Sequence, residues 1–167
     1  MVSAAVQRVF RSEIASTLSY IQRLALMKKK KVEFSSHPGN LATMREFVRG
    51  FLAAYPFTEK ERTLMVLGVD EACTNIIRHA YHFRDDQLIS LSLEGLRTCI
   101  RMRLRDYGKQ TAAKAMRGRS QNLIKPGGLG LHLIRNAFDR VDYVIKARGT
   151  ELVMTKVWKE DGLATRS

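Results

Sequence analysis

The sequence predicts an α+β fold, a two-layer sandwich in which a mostly antiparallel sheet carries its helices on one face. Two pairs of segments alternate apolar and polar residues, and a glycine separates the members of each pair, which indicates two hairpins. Other stretches repeat apolar residues every three or four positions, as on the buried face of a helix. A chain of 167 residues with 45% hydrophobic content is the size of one compact domain with its own core.

The first elements are a short strand and two helices. Residues 32–35 read as the strand, and residues 41–52 carry an amphipathic helical pattern after a Pro-Gly turn. Thr58 with Glu61 three residues later forms a capping box, so a long helix should begin there and run to about Tyr81. The expected core positions of this helix are Leu64, Leu67, Ala72, Ile76 and Ala80.

The two hairpins define the faces of the sheet. Segments 87–93 and 98–106 join across Gly95 and turn one set of side chains inward: Ile89, Leu91, Leu93, Ile100, Met102 and Leu104. The residues predicted to form a basic outer stripe are Arg101, Arg103 and Arg105. A helix over residues 128–138 precedes the second hairpin, whose strands are expected at 141–147 and 151–158.

The chain is strongly basic, with 29 Lys and Arg residues against 16 acidic ones. Between Arg97 and Lys125 there are nine basic residues and one acid, Asp106. Such an excess raises the possibility of a nucleic-acid or acidic-protein partner. Because exposed aromatic residues do not alternate with the arginines of the basic strand, specific nucleic-acid binding is not expected.

Two further features restrict the class of protein. No apolar run reaches the length of about 18 residues that a membrane span needs, and no secretory h-region is visible, so a cytoplasmic protein without membrane insertion is expected. Cys73 and Cys99 are isolated in apolar patterns, which indicates buried reduced thiols rather than a disulfide or a zinc site.

The predicted organisation is an N-terminal helical extension over residues 1–30, one domain over residues 31–160 and a flexible tail over residues 161–167. The extension carries an apolar helical stripe followed by a run of lysines. Three interpretations stay open: an added helix for dimerisation or partner docking, a membrane-surface amphipathic helix, or sequence upstream of a natural start at Met27. The added helix is favoured.

Three separated clusters of polar residues and glycines interrupt the core pattern. They are Glu71 to Tyr81, Asp106-Tyr-Gly108 and Gly127-Gly-Leu-Gly-Leu131. On a helix, a spacing of four, three and four residues places one set of side chains on a single polar stripe: Glu71, Asn75, Arg78 and His82. Such a stripe can face a ligand.

In their order and spacing these clusters resemble the N, G1 and G2 boxes of the histidine-kinase-like ATPase superfamily, over about residues 31–158. Within it, the chain is similar to the small bacterial anti-sigma-factor serine kinases. The resemblance implies an enzyme that uses ATP and Mg²⁺, binds a sigma factor and phosphorylates a small anti-anti-sigma protein of the STAS type. A homodimer is possible.

The resemblance also implies roles for the N-box residues. Glu71 is the expected catalytic general base, which accepts a proton from the attacking hydroxyl. Asn75 is the expected Mg²⁺ ligand, since an amide oxygen suits a hard cation that keeps several waters. Arg78 and His79 are assigned to nucleotide binding as members of the same box.

In the glycine boxes, the resemblance makes Asp106 the acceptor of the adenine amine, while Gly108 lets the backbone approach the base. Gly128, Leu129 and Gly130 are expected to bring backbone N–H groups at a helix N-terminus onto the phosphates. An autophosphorylating histidine kinase is disfavoured, because no helix with a phospho-acceptor histidine precedes the domain in the expected pattern.

The sequence departs from the family pattern at three places. Gln110 stands where G1 usually has a second glycine, Val153 lies near a position that often carries a hydroxyl, and the loop between G1 and G2 is basic. Two alternatives to the kinase therefore remain. One is a nucleotide-dependent binding switch in which Glu71 is catalytically idle, and the other is a basic nucleic-acid-binding module.

Overall fold

The computed structural model describes residues 27–108 and 129–158 of the chain. The N-terminal stripe, the basic loop with Gln110 and Gly128, and the C-terminal tail lie outside these residues. The elements in chain order are β1 (Lys29–Ser35), α1 (Asn40–Leu52), α2 (Glu59–Asn75), a π-helical turn (Ile76–Ala80), β2 (Leu88–Gly95), β3 (Cys99–Asp106), α3 (Leu129–Ala137), β4 (Arg140–Ile145) and β5 (Thr150–Val157).

In the described part of the chain, five strands form one antiparallel sheet in the order β1-β2-β3-β5-β4. Both predicted hairpins are present, since β2 pairs with β3 and β4 pairs with β5. Gly149 has a φ of 70° in the second turn, a left-handed conformation that favours glycine. The α+β class with an antiparallel sheet is confirmed.

The core lies between the sheet and the three described helices. The side chains predicted to face inward from β2 and β3 are all fully buried: Ile89, Leu91, Leu93, Ile100, Met102 and Leu104. They pack in one hydrophobic cluster with Met44, Val48, Phe51 and Leu52 of α1. Trp158 belongs to this cluster and packs against Tyr55 and Phe57, with ring centroids 5.7 and 6.0 Å away.

Helix α2 begins where the sequence predicts, because Thr58 and Glu61 form both hydrogen bonds of the capping box. Of its predicted core positions, Ala72 is buried, and Leu64, Ile76 and Ala80 are partly buried against the core. The fully buried residues of the helix are Met65, Val66, Gly68, Val69, Ala72 and Cys73. Leu67 is 42% exposed and was wrongly assigned to the core. The error arises because apolar residues lie on both sides of the true stripe, so that two helical registers fit the sequence.

The end of this helix also departs from the prediction. The Tyr81 N–H donates to the Ile76 carbonyl oxygen at 3.0 Å, a π-helical bond that widens the last turn. His82 and Phe83 then have φ values of 51° and 61°, which end the helix. The predicted stripe is therefore wrong beyond the α-helix: His82 lies past the helix end, not one turn along the face that bears Glu71 and Asn75.

This helix end predicts that His82→Gly stabilises the protein by about 1 kcal/mol, because glycine adopts a positive φ without a steric penalty at Cβ. His82→Ala is the matched control: it removes the imidazole but keeps the Cβ in the left-handed conformation. Urea denaturation of the three proteins measures the difference. A glycine variant no more stable than the alanine variant would contradict the assigned backbone conformation.

Candidate functional site

Asp106 is a buried carboxylate at the end of β3, with only 5% of the residue exposed. Its Oδ1 accepts a hydrogen bond from the Gly108 N–H at 2.9 Å, and its Oδ2 accepts one from the Thr150 N–H at 3.1 Å. Burial raises the pKa of the carboxyl group, although both N–H groups act in the opposite direction. Because each carboxylate oxygen has two lone pairs, both retain capacity to accept a bond from a ligand.

Tyr81 connects the end of the N box to the G1 turn. Its hydroxyl accepts a hydrogen bond from the Tyr107 N–H at 2.8 Å and donates one to the Leu88 carbonyl oxygen. The residue is 3% exposed, and burial raises the pKa of the phenol, which keeps the donor proton in place. Tyr81 therefore packs in the core through its ring and makes two hydrogen bonds through its hydroxyl group.

Arg105 does not belong to a free basic stripe. Its guanidinium donates to the carbonyl oxygens of Asp106, Thr150 and Arg148, and it lies 4.7 Å from the centre of the Tyr107 ring. Arg148 in turn donates from Nε to the Tyr107 carbonyl oxygen at 2.9 Å. Arg105 lies on the outer face of β3 as predicted, but its guanidinium connects the G1 turn to the hairpin between β4 and β5.

Arg103 is also partly neutralised, since its guanidinium lies 3.9 Å from a carboxylate oxygen of Glu151. Lys146 approaches the same carboxylate at 3.2 Å. On the outer face of the described sheet, Glu151 therefore offsets part of the positive charge of Arg103 and Lys146. The charge of the strand cannot be read from its arginine count alone.

Glu71 and Gly130 bring the N box and the G2 box into contact. A Cβ built on Gly130 would lie 2.8 Å from Cγ of Glu71 and would overlap its carboxylate, so the glutamate side chain lies directly against the glycine. Glu71 is half-buried on the last turns of α2, and Gly130 is the second residue of α3. Two residues almost 60 positions apart in sequence therefore share one site.

Two further close contacts set this arrangement. A Cβ on Gly68 would lie 3.0 Å from the Ala137 Cβ, so α2 and α3 pack closely. A Cβ on Gly108 would lie 2.9 Å from the Ala80 Cβ, which places the G1 turn against the π-helical turn. The helix that bears Glu71 thus contacts both glycine boxes.

The other predicted site residues occupy varied positions. Asn75 is half-buried at the end of α2, one turn after Glu71. Arg78 and His79 are exposed on the π-helical turn. Leu129 opens α3, whereas Gly128 falls outside the described residues.

Within the described ranges, no group of three or more His, Cys, Asp and Glu residues could hold a metal ion, and no helix is long and apolar enough to cross a membrane.

Thr150 is the site residue that the sequence analysis missed. Leu152 and Met154 of the same strand are buried in the core, so Thr150 shares their face, and its N–H contacts Asp106. Val153 pairs in register with Arg103 and lies on the opposite face. Thr150 is therefore a hydroxyl-bearing residue that contacts Asp106 through its backbone N–H group. The significance of the departure at Val153 stays a prediction. The sequence feature that could have identified Thr150 is the Gly149-Thr150 pair at the hairpin turn.

A cavity of about 520 Å³ opens beside the G1 turn. Its walls include Tyr81, Tyr107, Gly108, Arg148 and Gly149. The turn that holds Asp106 therefore has open space next to it, bordered by backbone and by the exposed side chains of Arg84 and Arg148. Cys73, by contrast, is fully buried in the core, and burial raises the pKa of its thiol, whereas Cys99 is only partly buried on β3.

The contact between Glu71 and Gly130 predicts that Gly130→Ala loses the gain of about 0.5–1 kcal/mol that this substitution ordinarily brings in a helix, since the added methyl group must displace the carboxylate. Gly50→Ala is the matched control, because a Cβ there meets nothing within 4 Å; in an exposed helix it should stabilise by about 0.5–1 kcal/mol. Urea denaturation measures both. Equal behaviour of the two variants would show that Glu71 does not lie against Gly130.

Comparisons with known proteins agree with this architecture. The structure is similar to the crystal structure of the RsbU and RsbW domains of Rv1364c from Mycobacterium tuberculosis, with a TM-score of 0.58 and 15% sequence identity. The match covers 78% of this chain and 32% of the other, so this chain spans about a third of that protein. No curated protein sequence matches. The model of the histidine kinase-like ATPase domain matches residues 34–156, and the chain therefore belongs to this family.

Proposed function

We propose that the protein is an ATP- and Mg²⁺-dependent serine/threonine protein kinase that acts as an anti-sigma factor and phosphorylates a small anti-anti-sigma protein. The observation that carries this proposal is the contact of the Glu71 carboxylate with Gly130 at the start of α3. It joins the expected general base to the expected phosphate-binding helix. Membership of an ATPase family implies nucleotide binding, and the fold similarity to the RsbU and RsbW domains supports the finer assignment.

The residues at the G1 turn fit an adenine base. Asp106 offers carboxylate oxygens in a buried place, where a hydrogen bond to an exocyclic amine is stronger than in water. Guanine has a carbonyl oxygen where adenine has this amine, so the same carboxylate would repel it. Gly108 has no Cβ between the turn and its neighbours. Specificity for adenine would therefore come from the carboxylate of Asp106, which accepts the hydrogen bond, and from Gly108, which has no side chain.

The residues near α3 fit the triphosphate. The first N–H groups of a helix have no intrahelical partner and carry partial positive charge, and here they belong to Leu129 and Gly130. Asn75 would hold Mg²⁺ through its amide oxygen, together with phosphate oxygens and waters. When bound, the ion neutralises phosphate charge as the phosphoryl group is transferred.

Glu71 would act on the attacking hydroxyl of a serine or threonine. It lies one helical turn before Asn75 and against the N-terminus of α3, between the proposed metal ligand and the proposed phosphate site. From this place its carboxylate would accept the hydroxyl proton. The close packing with Gly130 restricts the rotamers of the side chain, which orients the base before substrate arrives.

A sigma factor and a STAS-type anti-anti-sigma protein are the proposed partners. The formal net charge of +13 favours association with acidic protein surfaces, because opposite charge accelerates encounter. We further propose that the protein acts in the cytoplasm, where both partners would be found. Competition between the two partners would then set how much sigma factor is free.

A nucleotide-dependent switch without catalysis is the second candidate. The same contact favours it in one respect, because a carboxylate packed against α3 can hold the two helices together without taking part in chemistry. In that case ATP binding would alter partner affinity, and Glu71 would contribute to stability but not to chemistry. The two candidates make opposite predictions for one substitution.

Glu71→Gln keeps the size of the side chain and removes its basicity. We expect phosphoryl transfer to a STAS-type protein of the same genome to fall about a hundredfold or more, with ATP affinity unchanged. Transfer of labelled phosphate from ATP in the presence of Mg²⁺ measures the rate, and calorimetry measures the affinity. Asp106→Asn is the control with the opposite profile, because its amide can present a donor to the donating amine and should weaken ATP binding itself.

A wild-type protein that binds ATP and its partner but transfers no phosphate would favour the switch. A Glu71→Gln variant that transfers phosphate at the wild-type rate would contradict the assignment of the base. Loss of ATP affinity in Glu71→Gln but not in Asp106→Asn would contradict the proposed orientation of the nucleotide.

A further inference from the structure

We propose that the Tyr81 hydroxyl is a positioning group that sets base selectivity, because it fixes the G1 turn in the conformation in which Asp106 faces the base. This inference rests on the proposed adenine site and assigns a role to a residue to which that proposal gave none. Hydrogen bonds connect β2 to Tyr81 and Tyr81 to the Tyr107 amide, which is adjacent in the chain to the Gly108 amide that binds the carboxylate.

Two consecutive N–H groups hold the G1 turn. The Tyr107 N–H donates to the Tyr81 hydroxyl at 2.8 Å, and the Gly108 N–H donates to Oδ1 of Asp106 at 2.9 Å. The two amides are adjacent in the chain, so a rotation of the backbone that breaks one bond disturbs the other. The direction of the Asp106 carboxylate is therefore coupled to the Tyr81 hydroxyl.

Tyr81 is itself held from two directions. Its hydroxyl donates to the carbonyl oxygen of Leu88, the first residue of β2, and its ring is buried in the hydrophobic core. The preceding residue, Ala80, lies against Gly108. The helix end thus contacts the turn by packing at one residue and by a hydrogen bond at the next.

The remaining partners of the turn cannot replace this bond. Arg148 donates to the Tyr107 carbonyl oxygen, and Arg105 donates to the Asp106 carbonyl oxygen. Both arginines are donors, so neither can accept a hydrogen bond from the Tyr107 N–H. Tyr81 supplies the acceptor for the Tyr107 N–H, and a phenylalanine in its place would leave that donor without this partner. The ring would still fill the same volume in the core.

Tyr81→Phe should lower ATP affinity about three- to tenfold, the scale of one hydrogen bond. Inosine triphosphate has a carbonyl oxygen in place of the amine, so it gains nothing from a well-directed carboxylate, and its weaker affinity should change less than twofold. The ratio of the two affinities should therefore fall. Calorimetric titration of both nucleotides with Mg²⁺ measures it.

Tyr143→Phe is the matched control, because it removes a hydroxyl from a tyrosine that is 39% exposed on β4. It should leave both affinities unchanged. Thermal unfolding of each variant checks that the fold is retained. An equal loss of affinity for both nucleotides, or an unchanged ratio, would overturn the inference and leave Tyr81 with a packing role.

Amide hydrogen exchange separates this inference from the proposed function. In the nucleotide-free protein, Tyr81→Phe should accelerate exchange at Tyr107 and Gly108, with little change in the centre of β3. Unchanged protection of these two amides in the variant would refute the coupling between Tyr81 and the G1 turn. A wild-type protein whose Tyr107 and Gly108 amides are protected, but which binds no ATP, would refute the proposed nucleotide site and with it the selectivity role.

Discussion

The buried carboxylate of Asp106 is the constraint on which the rest of the site depends. Removing a carboxylate from water costs several kcal/mol unless donors replace the lost hydration. Here the Gly108 and Thr150 amides replace it, which joins the end of β3 to the start of β5. The neighbouring backbone must then approach closely: a Cβ on Gly149 would lie 2.6 Å from the Asp106 carbonyl carbon, so glycine is required there.

Helix α2 connects the G1 turn to the part of the site that Glu71 and Gly130 form. Its π-helical end rests against Gly108 through Ala80, while its last α-helical turns place Glu71 against Gly130. A single helix therefore fixes the distance between the region expected to bind adenine and the region expected to bind the phosphates. Close packing of Gly68 with Ala137 sets how near α3 can come, and this small contact positions the residues expected at the phosphates.

Much of the fold could be predicted because its signals are local. Alternation in β2 and β3 identified the buried residues, and the Thr58 capping box identified the start of α2. The π-helical turn could not be predicted, since one extra residue in a helix leaves no compositional mark, and His82 was misplaced as a result. The roles of Thr150 and Arg105 were missed because strand register and carbonyl partners depend on contacts between residues about 45 positions apart.

The most direct test of a nucleotide site built around Asp106 is carbon-13 NMR of its side-chain carboxyl group, assigned by comparison with Asp106→Asn. In the free protein, the account predicts a pKa above the ordinary range of an aspartate, because the group is buried. Addition of ATP with Mg²⁺ should shift the resonance, while GTP at the same concentration should leave it in place. An ordinary pKa together with a resonance that ATP does not move would contradict the account.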